Sequence, residues 1–362
     1  MSQITLIHGT DYLAMTKRLL EADDVAARIG DRAKRIGVKP NLCVAKPAAT
    51  GSTTHPEIVA GVLDYLCESG FTNVVVLEGS WLGDRTDRAA RISGIGQVCA
   101  DHGVPFLDLQ QDNGQTQSLG GMSIEVCRKA MELDYLINLP VVKGHCQTTI
   151  TCALKNLKGL IPNREKQRFH TLGLHKPIAH LSLAFPNTYV LADNICGDLD
   201  FEEGGNPVTM NRLIGCFDPV LCDAFVCETL GHAVEAVPYI GLAHNLGVGS
   251  ADLDGAHIIP LNKANQSPAA APTGRVAQLA RHTDARNACS ACYGSLIYAL
   301  DRLGDQGLLR GSNGKIAIGQ GWRSCCGSLG VGNCTAGCSA YLPGCPPTAA
   351  EMTAFLAEHW GK

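Results

Sequence analysis

Aromatic residues are scarce in this sequence, and long uninterrupted hydrophobic runs are absent. Aromatic residues make up 5% of the 362-residue chain, whereas hydrophobic residues make up 45%. A core of Ala, Val, Ile and Leu is typical of parallel α/β sheets and argues against an all-β sandwich. No run reaches the roughly 18 apolar residues that a membrane-spanning helix needs, so we expect no membrane partner.

The sequence also has little excess charge and no recognisable export signal. Its formal net charge is -4 and its isoelectric point is near 6.3, which leaves no positive field for attracting phosphate backbones. We therefore expect no nucleic-acid partner. Residues 1–11 contain no basic stretch followed by an apolar core, and the sequence accordingly predicts a soluble cytoplasmic protein.

Common nucleotide-binding and catalytic motifs are missing as well. The sequence contains no G-x-x-x-x-G-K-[ST] and no G-x-G-x-x-G after a strand, so a phosphate loop or a dinucleotide fold has no direct support. The absence of H-E-x-x-H and G-x-S-x-G argues against the common protease and esterase sites. These absences do not exclude a flavin.

What the sequence does contain is an alternation of short apolar runs and amphipathic helical stretches. Residues 36–39 and 73–77 read as strands, and the segment between them reads as a helix that begins at Pro56 and ends at Gly70. This spacing predicts a βαβ unit with a right-handed crossover, and hence a parallel sheet. The pattern continues with strands near 135–139 and 189–192 and with a helix over 219–231 that Asp218 caps.

A change of composition marks a candidate domain boundary. Between residues 261 and 285 the pattern fades into Asn, Ser, Pro and Ala, and residues 268–272 read Pro-Ala-Ala-Ala-Pro. Such a stretch is typical of a loop or linker. We therefore predict a large α/β domain over residues 1–265, with a mostly parallel sheet and flanking helices, and a small Cys-rich α/β domain over residues 280–362.

The predicted C-terminal domain has its own helix and strand signals. A helix is predicted over residues 288–303 and a strand over 315–319, followed by a Gly- and Cys-rich stretch. Thr348 and Glu351 then have the spacing of a capping box, directly after two prolines, and predict the start of a final helix.

Cysteine is unusually common, with 17 residues in the chain. The cytosol keeps thiols reduced, so burial or metal binding, and not disulfides, has to account for them. Ten are scattered through the first 280 or so residues, Cys67 and Cys222 among them, and we interpret these as small buried hydrophobes. The other seven lie close together: Cys289, Cys292, Cys325, Cys326, Cys334, Cys338 and Cys345.

Four of these seven have a pattern that suits an iron-sulfur cluster. Cys289 and Cys292 open a predicted helix, and their spacing of three puts both sulfurs on one helix face. Cys334 follows a glycine-containing turn, and Cys345 lies in a Pro-Gly-Cys-Pro-Pro segment just before the final helix. Four thiolates from one helix and two loops can hold a [4Fe-4S] cluster, so the sequence predicts these four cysteines as its ligands.

Other interpretations of the cysteines remain open at this point. Four cysteines also make a structural zinc site, although the usual zinc ribbon has two C-x-x-C knuckles and this sequence has one. Binding of no metal at all is a further alternative. Cys325, Cys326 or Cys338 could also replace one of the four predicted ligands.

A second group of polar residues follows the predicted strands of the large domain. The crevice beyond the carboxyl ends of the strands is where open α/β sheets bind ligands, so this group predicts a site for a small anion. His145 is a candidate general acid or base. The alternative is that the lysines are solvated surface charges. We predict His145, Lys143 and Lys155 as catalytic and Lys39, Asn41, Asn156 and Lys158 as substrate-binding; weaker candidates are His170, His175, Asp193 and Glu203.

Three motifs of the large domain carry a resemblance to a known family. Lys39-Pro-Asn41, Leu154-Lys-Asn-Leu-Lys-Gly159 and Asp193-Asn-Ile-Cys-Gly197, together with the Cys-rich end, resemble the "domain of unknown function 362" family of iron-sulfur-associated proteins. The likeness covers roughly residues 36–250. It implies an iron-sulfur protein and no particular reaction.

The C-terminal segment resembles a second group of proteins, the hydrogenase small subunits and their complex I relatives. In their proximal-cluster region, a Cys-x-x-Cys that opens a helix, a cysteine after a glycine turn and a Gly-Cys-Pro-Pro segment hold one [4Fe-4S] cluster. The resemblance implies the same four ligands, Cys289, Cys292, Cys334 and Cys345. Gly294 and Ser295 stand where those proteins place an acidic residue.

Three functions fit these patterns. The first is an iron-sulfur oxidoreductase that passes electrons between the cluster and a small anionic substrate or a redox partner protein. The second is a lyase or isomerase in which an open cluster iron acts as a Lewis acid. The third is a non-enzymatic electron-transfer or cluster-carrier protein. The sequence leaves the oligomeric state open, a homodimer included.

Overall fold

The fold is taken from a computed structural model that describes residues 2–263, 274–309 and 314–360. Its strands are β1 (Gln3–His8), β2 (Ile36–Pro40), β3 (Val74–Glu78), β4 (Phe106–Asp108), β5 (Gly114–Leu119), β6 (Met122–Cys127), β7 (Tyr135–Leu139), β8 (Lys143–His145), β9 (Thr149–Thr151), β10 (Thr188–Asp198), β11 (Pro207–Cys216), β12 (His257–Pro260), β13 (Thr283–Ala285), β14 (Ile316–Ile318), β15 (Gly327–Val331) and β16 (Cys338–Leu342). The proline-rich segment 268–272, on which the predicted linker rests, lies outside the described residues.

Helices connect and cover these strands. They are α1 (Tyr12–Ala22), α2 (Val25–Ile29), α3 (Pro56–Glu68), α4 (Thr86–Ser93), α5 (Ile95–Asp101), α6 (Arg128–Met131), α7 (Ala153–Asn156), α8 (Asn163–Thr171), α9 (His175–Leu181), α10 (Pro219–Thr229), α11 (Pro238–Asn245), α12 (Arg275–Ala280), α13 (Ser290–Asp305) and α14 (Ala349–His359). Within the described ranges, no helix has both the length and the hydropathy of a membrane span.

The main sheet has eight strands in the order β12-β1-β11-β10-β7-β2-β3-β4. Strand β11 runs antiparallel to both of its neighbours, β1 and β10. The other five pairs are parallel. The predicted α/β class with a mostly parallel sheet is therefore confirmed, and β11 is the strand that departs from it.

Helices cover both faces of the main sheet, because its central strands carry apolar side chains on both sides. In β3, Val75 and Leu77 belong to one hydrophobic cluster, whereas Val74 and Val76 belong to another. Alternate residues of a strand point to opposite faces, so the two clusters are the two faces of the sheet. This double burial is what parallel sheets require.

The predicted βαβ unit is present as β2, α3 and β3. Helix α3 begins at Pro56, where a missing N–H leaves no hydrogen bond unmade, and ends at Glu68 before Gly70 takes a positive φ. Its buried face, which includes Ile58, Val62 and Leu66, packs into one of the two clusters.

A second, smaller sheet lies in the C-terminal part of the chain. It contains β13, β14, β15 and β16 in that order, with all three pairs parallel. Helices α13 and α14 pack on it through a cluster that includes Leu296, Ile318 and Met352. The capping box that Thr348 and Glu351 predict is present at the start of α14.

The beginning of α13 lies against residues of the main-sheet part. Gln147 Nε2 donates to Ala288 O at 2.9 Å, and Ser290 N donates to His170 Nε2 at 3.3 Å. Gln320 Nε2 also donates to Gln167 O at 3.1 Å. These contacts bring the predicted cysteine ligands of α13 next to the polar residues after the main strands. The division into two domains at residues 265 and 280 stays a prediction.

Candidate metal centre and adjoining polar cavity

The four predicted ligand cysteines line one cavity. Cys289 precedes α13, Cys292 lies in its first turn, Cys334 follows β15, and Cys345 lies in the loop before α14. The cavity has an empty volume of about 410 Å³, which includes space open to solvent. Residues that are up to 56 positions apart in the sequence are thus brought to one place by the parallel C-terminal sheet.

The remaining lining of this cavity is small and uncharged. Leu82, Ala291 and Val331 contribute apolar side chains, and Gly332 and Gly344 contribute backbone. Gly332 has a φ of +88°, and a Cβ added there would lie 3.4 Å from Cys292 Sγ. A larger residue at that turn would therefore be strained and would crowd the sulfur.

Burial makes these thiols hard to ionise on their own. It raises the pKa of Cys289 to about 11 and that of Cys292 to about 12, and the neighbouring cysteines add to both shifts. No charged side chain belongs to the lining among the described residues. Four converging thiols without a nearby cation in their wall fit a positively charged metal group, which would hold them as thiolates.

The sulfurs are not as close together as the ligands of one zinc ion. A tetrahedral zinc site, with Zn–S bonds of about 2.3 Å, would place its sulfurs roughly 3.8 Å apart. No three of these four described cysteines have their sulfurs within 4.8 Å of one another. An iron-sulfur cluster spreads its ligands over several irons and suits the wider arrangement.

The structure does not bring the three other tail cysteines to this cavity. Cys338 is buried against Trp322 and Ala317, Cys326 is exposed, and Cys325 Sγ donates to Gly321 O at 3.7 Å. Of the ten scattered cysteines, eight are buried, as small hydrophobes should be. Cys67 is an exception: it is exposed because it lies in the last turn of α3, on the side facing solvent.

A polar cavity adjoins the cysteine cavity. Four of the predicted site residues line it: Asn41, Lys155, Asn156 and Lys158. Its empty volume is about 580 Å³, again including space open to solvent. The sequence did not single out three further charged residues of the lining, which are Glu78, Lys166 and Glu202.

Three predicted residues lie behind the wall of the polar cavity and are not among its lining. Lys39 is fully buried, with Nζ 2.7 Å from Glu78 Oε2. Lys143 is also fully buried, and its Nζ donates to Ser52 O at 2.7 Å and to Glu202 O at 3.0 Å. These bonds occupy both ammonium groups inside the protein.

His145, the third residue behind the wall, accepts hydrogen bonds at one ring nitrogen and places the other close to a carboxylate. Its Nδ1 accepts from the backbone N–H groups of Gln147 and Thr148, at 3.1 and 3.0 Å, and its Nε2 lies 2.9 Å from Glu202 Oε2. Burial and the nearby Lys155 lower the pKa of His145 to about 4. The ring is therefore neutral near pH 7, with its proton on the nitrogen that faces Glu202. That His145 moves a proton stays a prediction.

Glu202 is the residue on which the predicted catalytic groups converge. Lys155 Nζ lies 2.5 Å from its Oε1, in addition to the contacts of His145 and Lys143. Burial acts to raise the pKa of Glu202, but Lys155 and His145 hold it well below its usual range. Glu202 is thus a buried carboxylate that fixes the position of Lys155.

Lys158 is the lysine of the cavity with no fixed partner. The residue as a whole is partly exposed, but its amino group is buried and makes no hydrogen bond within the part of the chain that is described. Burial and the charge of Lys155 lower the pKa of Lys158 to about 7. Lys166, in contrast, donates from Nζ to Gly79 O and Ser80 O, at 2.9 and 2.8 Å.

Of the weaker candidates, one lines the polar cavity. His170 accepts at Nε2 from Ser290, and its buried Nδ1 has no partner among the described residues. Asp193 instead accepts from His55 Nδ1 at 2.8 Å, and Glu203 points its carboxylate at Gly294 of α13. His175 stacks on Tyr239.

The two cavities share a wall. Leu82 and Ala291 line both of them, and Ala291 stands between the two cysteines that open α13. A molecule in the polar cavity would therefore lie close to the cysteine cavity, with these aliphatic side chains at the boundary. The placement comes from α13, whose first turn carries Cys292 on one side and Ser290 on the other.

The three charged residues that the sequence analysis did not predict differ in whether a sequence pattern could have identified them. Glu78 is the last residue of β3, so the rule about strand ends that found Asn41 could also have found it. Glu202 lies in an irregular loop after β10, and Lys166 lies in the polar helix α8, which reads as a surface helix. No local pattern distinguishes these two from solvated charges.

Comparison with protein families gives one match, over residues 36–228, to the family described as "Domain of unknown function (DUF362)". A thylakoid-associated protein of Synechocystis is 27% identical over 178 residues, which cover 47% of this chain and 54% of that protein. The chain thus spans about half the length of this curated relative.

Two solved structures match part of the chain. A protein from Thermotoga maritima has a TM-score of 0.40 and 15% identity, covering 61% of this chain and 59% of its own. The lactate racemase apoprotein from Thermoanaerobacterium thermosaccharolyticum has a TM-score of 0.43 and 16% identity, covering 62% of this chain and 56% of its own. No function is transferred from either structure.

Proposed function

The chain belongs to the DUF362 family, and we propose that it is an iron-sulfur oxidoreductase. The proposal rests on the two cavities, because the family is described as a domain of unknown function. Cys289, Cys292, Cys334 and Cys345 would hold a [4Fe-4S] cluster. A small anionic substrate would bind in the polar cavity. The observation that carries this proposal is the wall that the two cavities share, formed by Leu82 and Ala291.

Two features of the cysteine cavity support the cluster. Its sulfurs are spread more widely than one zinc ion requires, and glycine backbone at Gly332 and Gly344 leaves room beside them. When bound, a cluster of this kind supplies one-electron transfer. Gln320 Nε2 donates to Cys289 Sγ at 3.5 Å, and a hydrogen bond of this kind tunes the potential of a ligated cluster.

The polar cavity supports an anionic substrate. Lys158 carries the amino group that is free to bind a carboxylate or phosphate, with Asn41 and Asn156 as hydrogen-bonding neighbours. Lys155 is held in place by Glu202, and Glu202 is held by His145 and Lys143. In this proposal Lys158 also carries the proton that accompanies electron transfer, because its pKa of about 7 lets it hold or release a proton near neutral pH.

Loss of one ligand tests the cluster directly. The chain is purified anaerobically, iron and sulfide are quantified, and the reduced protein is examined by electron paramagnetic resonance. We expect about four irons and four sulfides per chain. Cys345→Ser should lose most of this iron and the signal.

Cys67→Ser is the matched control, because Cys67 is also exposed but lies far along the chain in α3. It should keep the wild-type iron content. Equal iron in both variants would contradict the ligand assignment. If the protein contains no iron and one zinc ion per chain at these four cysteines, the site is a zinc site and not a cluster site.

An electron-carrier function is the second candidate, and the exposure of Cys345 favours it. A cluster that reaches the surface at one ligand can meet a redox partner protein there. Oxidation of the reduced protein by a small exogenous acceptor, with no acceleration by any carboxylate or phosphate compound, would favour the carrier. The lyase alternative needs an iron without a cysteine, which a cavity lined by four cysteines does not favour.

A further inference from the structure

Three potential metal ligands lie together in the large domain, away from both cavities. They are Cys152, Cys222 and Asp223, and one ligand atom of each lies within 4.8 Å of the other two. All three residues are completely buried. None of them lines the polar cavity or the cysteine cavity.

The carboxylate of this group is oriented by backbone. Asp223 Oδ1 accepts from Ala153 N at 2.6 Å, and Oδ2 accepts from Leu154 N at 3.1 Å, so the side chain caps the first turn of α7. A carboxylate offers about four lone-pair positions, and Cys152 and Tyr239 also hydrogen-bond to Asp223, so a metal would take the position that the Cys152 thiol occupies. Hydrogen bonds of this kind hold ligating carboxylates in known metal sites.

The group lacks a compensating positive charge. Asp223 accepts its hydrogen bonds from uncharged donors, the backbone N–H groups of Ala153 and Leu154 among them. A divalent cation at this position would supply the missing charge and hold the thiols as thiolates.

We propose that Cys152, Cys222 and Asp223 bind a zinc ion. Thiolate sulfur and carboxylate oxygen are both ligands that zinc takes, and ligand atoms within 4.8 Å of one another are compatible with a tetrahedral ion, whose ligand atoms are roughly 3.5 to 3.8 Å apart. These three residues leave the fourth position to a further ligand such as a water molecule.

The site has a structural consequence for the polar cavity. It joins the residue before α7 to the middle of α10, and α7 carries Lys155 and Asn156 into the cavity wall. Zinc would thus fix the short helix that places these two side chains. The proposal does not depend on the iron-sulfur cluster, because the two sites share no residue.

Metal analysis of the full chain tests this site. The protein is produced with iron and zinc supplied and is analysed by mass spectrometry for both metals, as wild type and as a variant with Ser at positions 289, 292, 334 and 345. We expect about one zinc per chain in both proteins. Cys222→Ser should lower this zinc at least fivefold.

Cys227→Ser is the matched control, because Cys227 is also buried in α10 and its Sγ contacts His232 O and Ala233 O instead of the proposed ligands. It should keep the zinc. Equal zinc in the Cys222 and Cys227 variants, or no zinc in the variant with four serines, would overturn the proposal.

X-ray absorption at the zinc edge keeps the test decisive if Cys222→Ser does not fold. In the variant with four serines, the spectrum should fit two sulfurs at about 2.3 Å and one or two oxygens. A spectrum without sulfur would overturn the site. A protein mass lower by two hydrogens would also overturn the site, since a disulfide between Cys152 and Cys222 would then occupy the place of the ion.

Discussion

Glu202 carries a negative charge into a part of the protein from which water is almost excluded. Lys155 and His145 contact its two carboxylate oxygens, and Lys143 donates to its backbone carbonyl. A buried ion pair is costly to break, because the remaining charge then has no partner. The carboxylate therefore matters both for the stability of the cavity and for the position of Lys155.

Glu202→Gln should lower the free energy of unfolding at pH 7 by about 3 to 5 kcal/mol, measured by urea denaturation, since it leaves Lys155 buried without its counter-charge. The surface variant Glu132→Gln, which breaks an ion pair with Arg35, should cost less than about 1 kcal/mol. Equal effects of the two variants would contradict the role given to Glu202.

The same carboxylate predicts an acid dependence of stability. Its pKa is lowered in the folded protein, so its contribution is fully present above the unfolded value of about 4.3 and is lost as the pH falls towards the folded value. Urea denaturation below pH 5 should show this loss in the wild type. The acid dependence should be weaker in Glu202→Gln.

Lys158 should react as an unusually good nucleophile near neutral pH. Its pKa is lowered to about 7, so about half of its amino groups are uncharged at that pH, whereas an ordinary lysine has a pKa of about 10.4. Acetylation with a limiting reagent, followed by peptide mass spectrometry from pH 6 to 9, should show a midpoint near 7 for Lys158. The exposed Lys176 provides the comparison, and the same profile at both lysines would contradict the lowered pKa.

At the scale of single elements, the first turn of α13 does most to organise the candidate site. It carries Cys292 towards the cysteine cavity, Ser290 towards His170, and Ala291 into the shared wall. The sequence predicted the helix over residues 288–303, and the structure has it at Ser290–Asp305. The spacing of the two cysteines was readable because i and i+3 positions share a helix face. The shared wall could not be predicted from the sequence, since Leu82 comes from a distant loop.

Turn geometry next to the cysteine cavity gives a test at this scale. Gly332→Ala should reduce the iron bound per chain, because the added Cβ would lie 3.4 Å from Cys292 Sγ. Gly307→Ala is the control: Gly307 also has a positive φ, of +73°, but an added Cβ there meets nothing within 4 Å. Gly332 also has a ψ of 154°, a backbone conformation essentially restricted to glycine, so Gly332→Ala carries the larger backbone cost as well. Iron analysis should therefore separate them, and equal iron content would argue against a packed group at that turn.

At the scale of the whole molecule, parallel pairing could be predicted and antiparallel pairing could not. The βαβ unit follows from local signals, such as Pro56 at the start of α3 and the apolar run of β3. The pairing of β11 with β10 joins residues that are close along the chain, whereas its pairing with β1 joins residues about 200 positions apart. Strand order of this kind has no local signal in one sequence.

The candidate site shows the same division between local and distant information. Polar residues at strand ends were found because parallel strands place their carboxyl ends at one edge, and Asn41, Asn156 and Lys158 do line the polar cavity. The sequence does not show which lysine is free and which is paired, because the partners of Lys39 and Lys155 are carboxylates from other parts of the chain. Pairing depends on distances that only the fold defines.

The aliphatic wall made by Leu82 and Ala291 limits the kind of reaction that the proposed oxidoreductase can perform. A compound held by Lys158 would have no direct bond to iron, because hydrocarbon stands in the way. Electrons would then cross by tunnelling in an outer-sphere process, and bulky compounds would be reduced only as fast as that barrier allows. Removing part of this wall with Leu82→Ala should raise the rate at which the bound compound oxidises the reduced cluster. The rate of an inner-sphere reaction should not change.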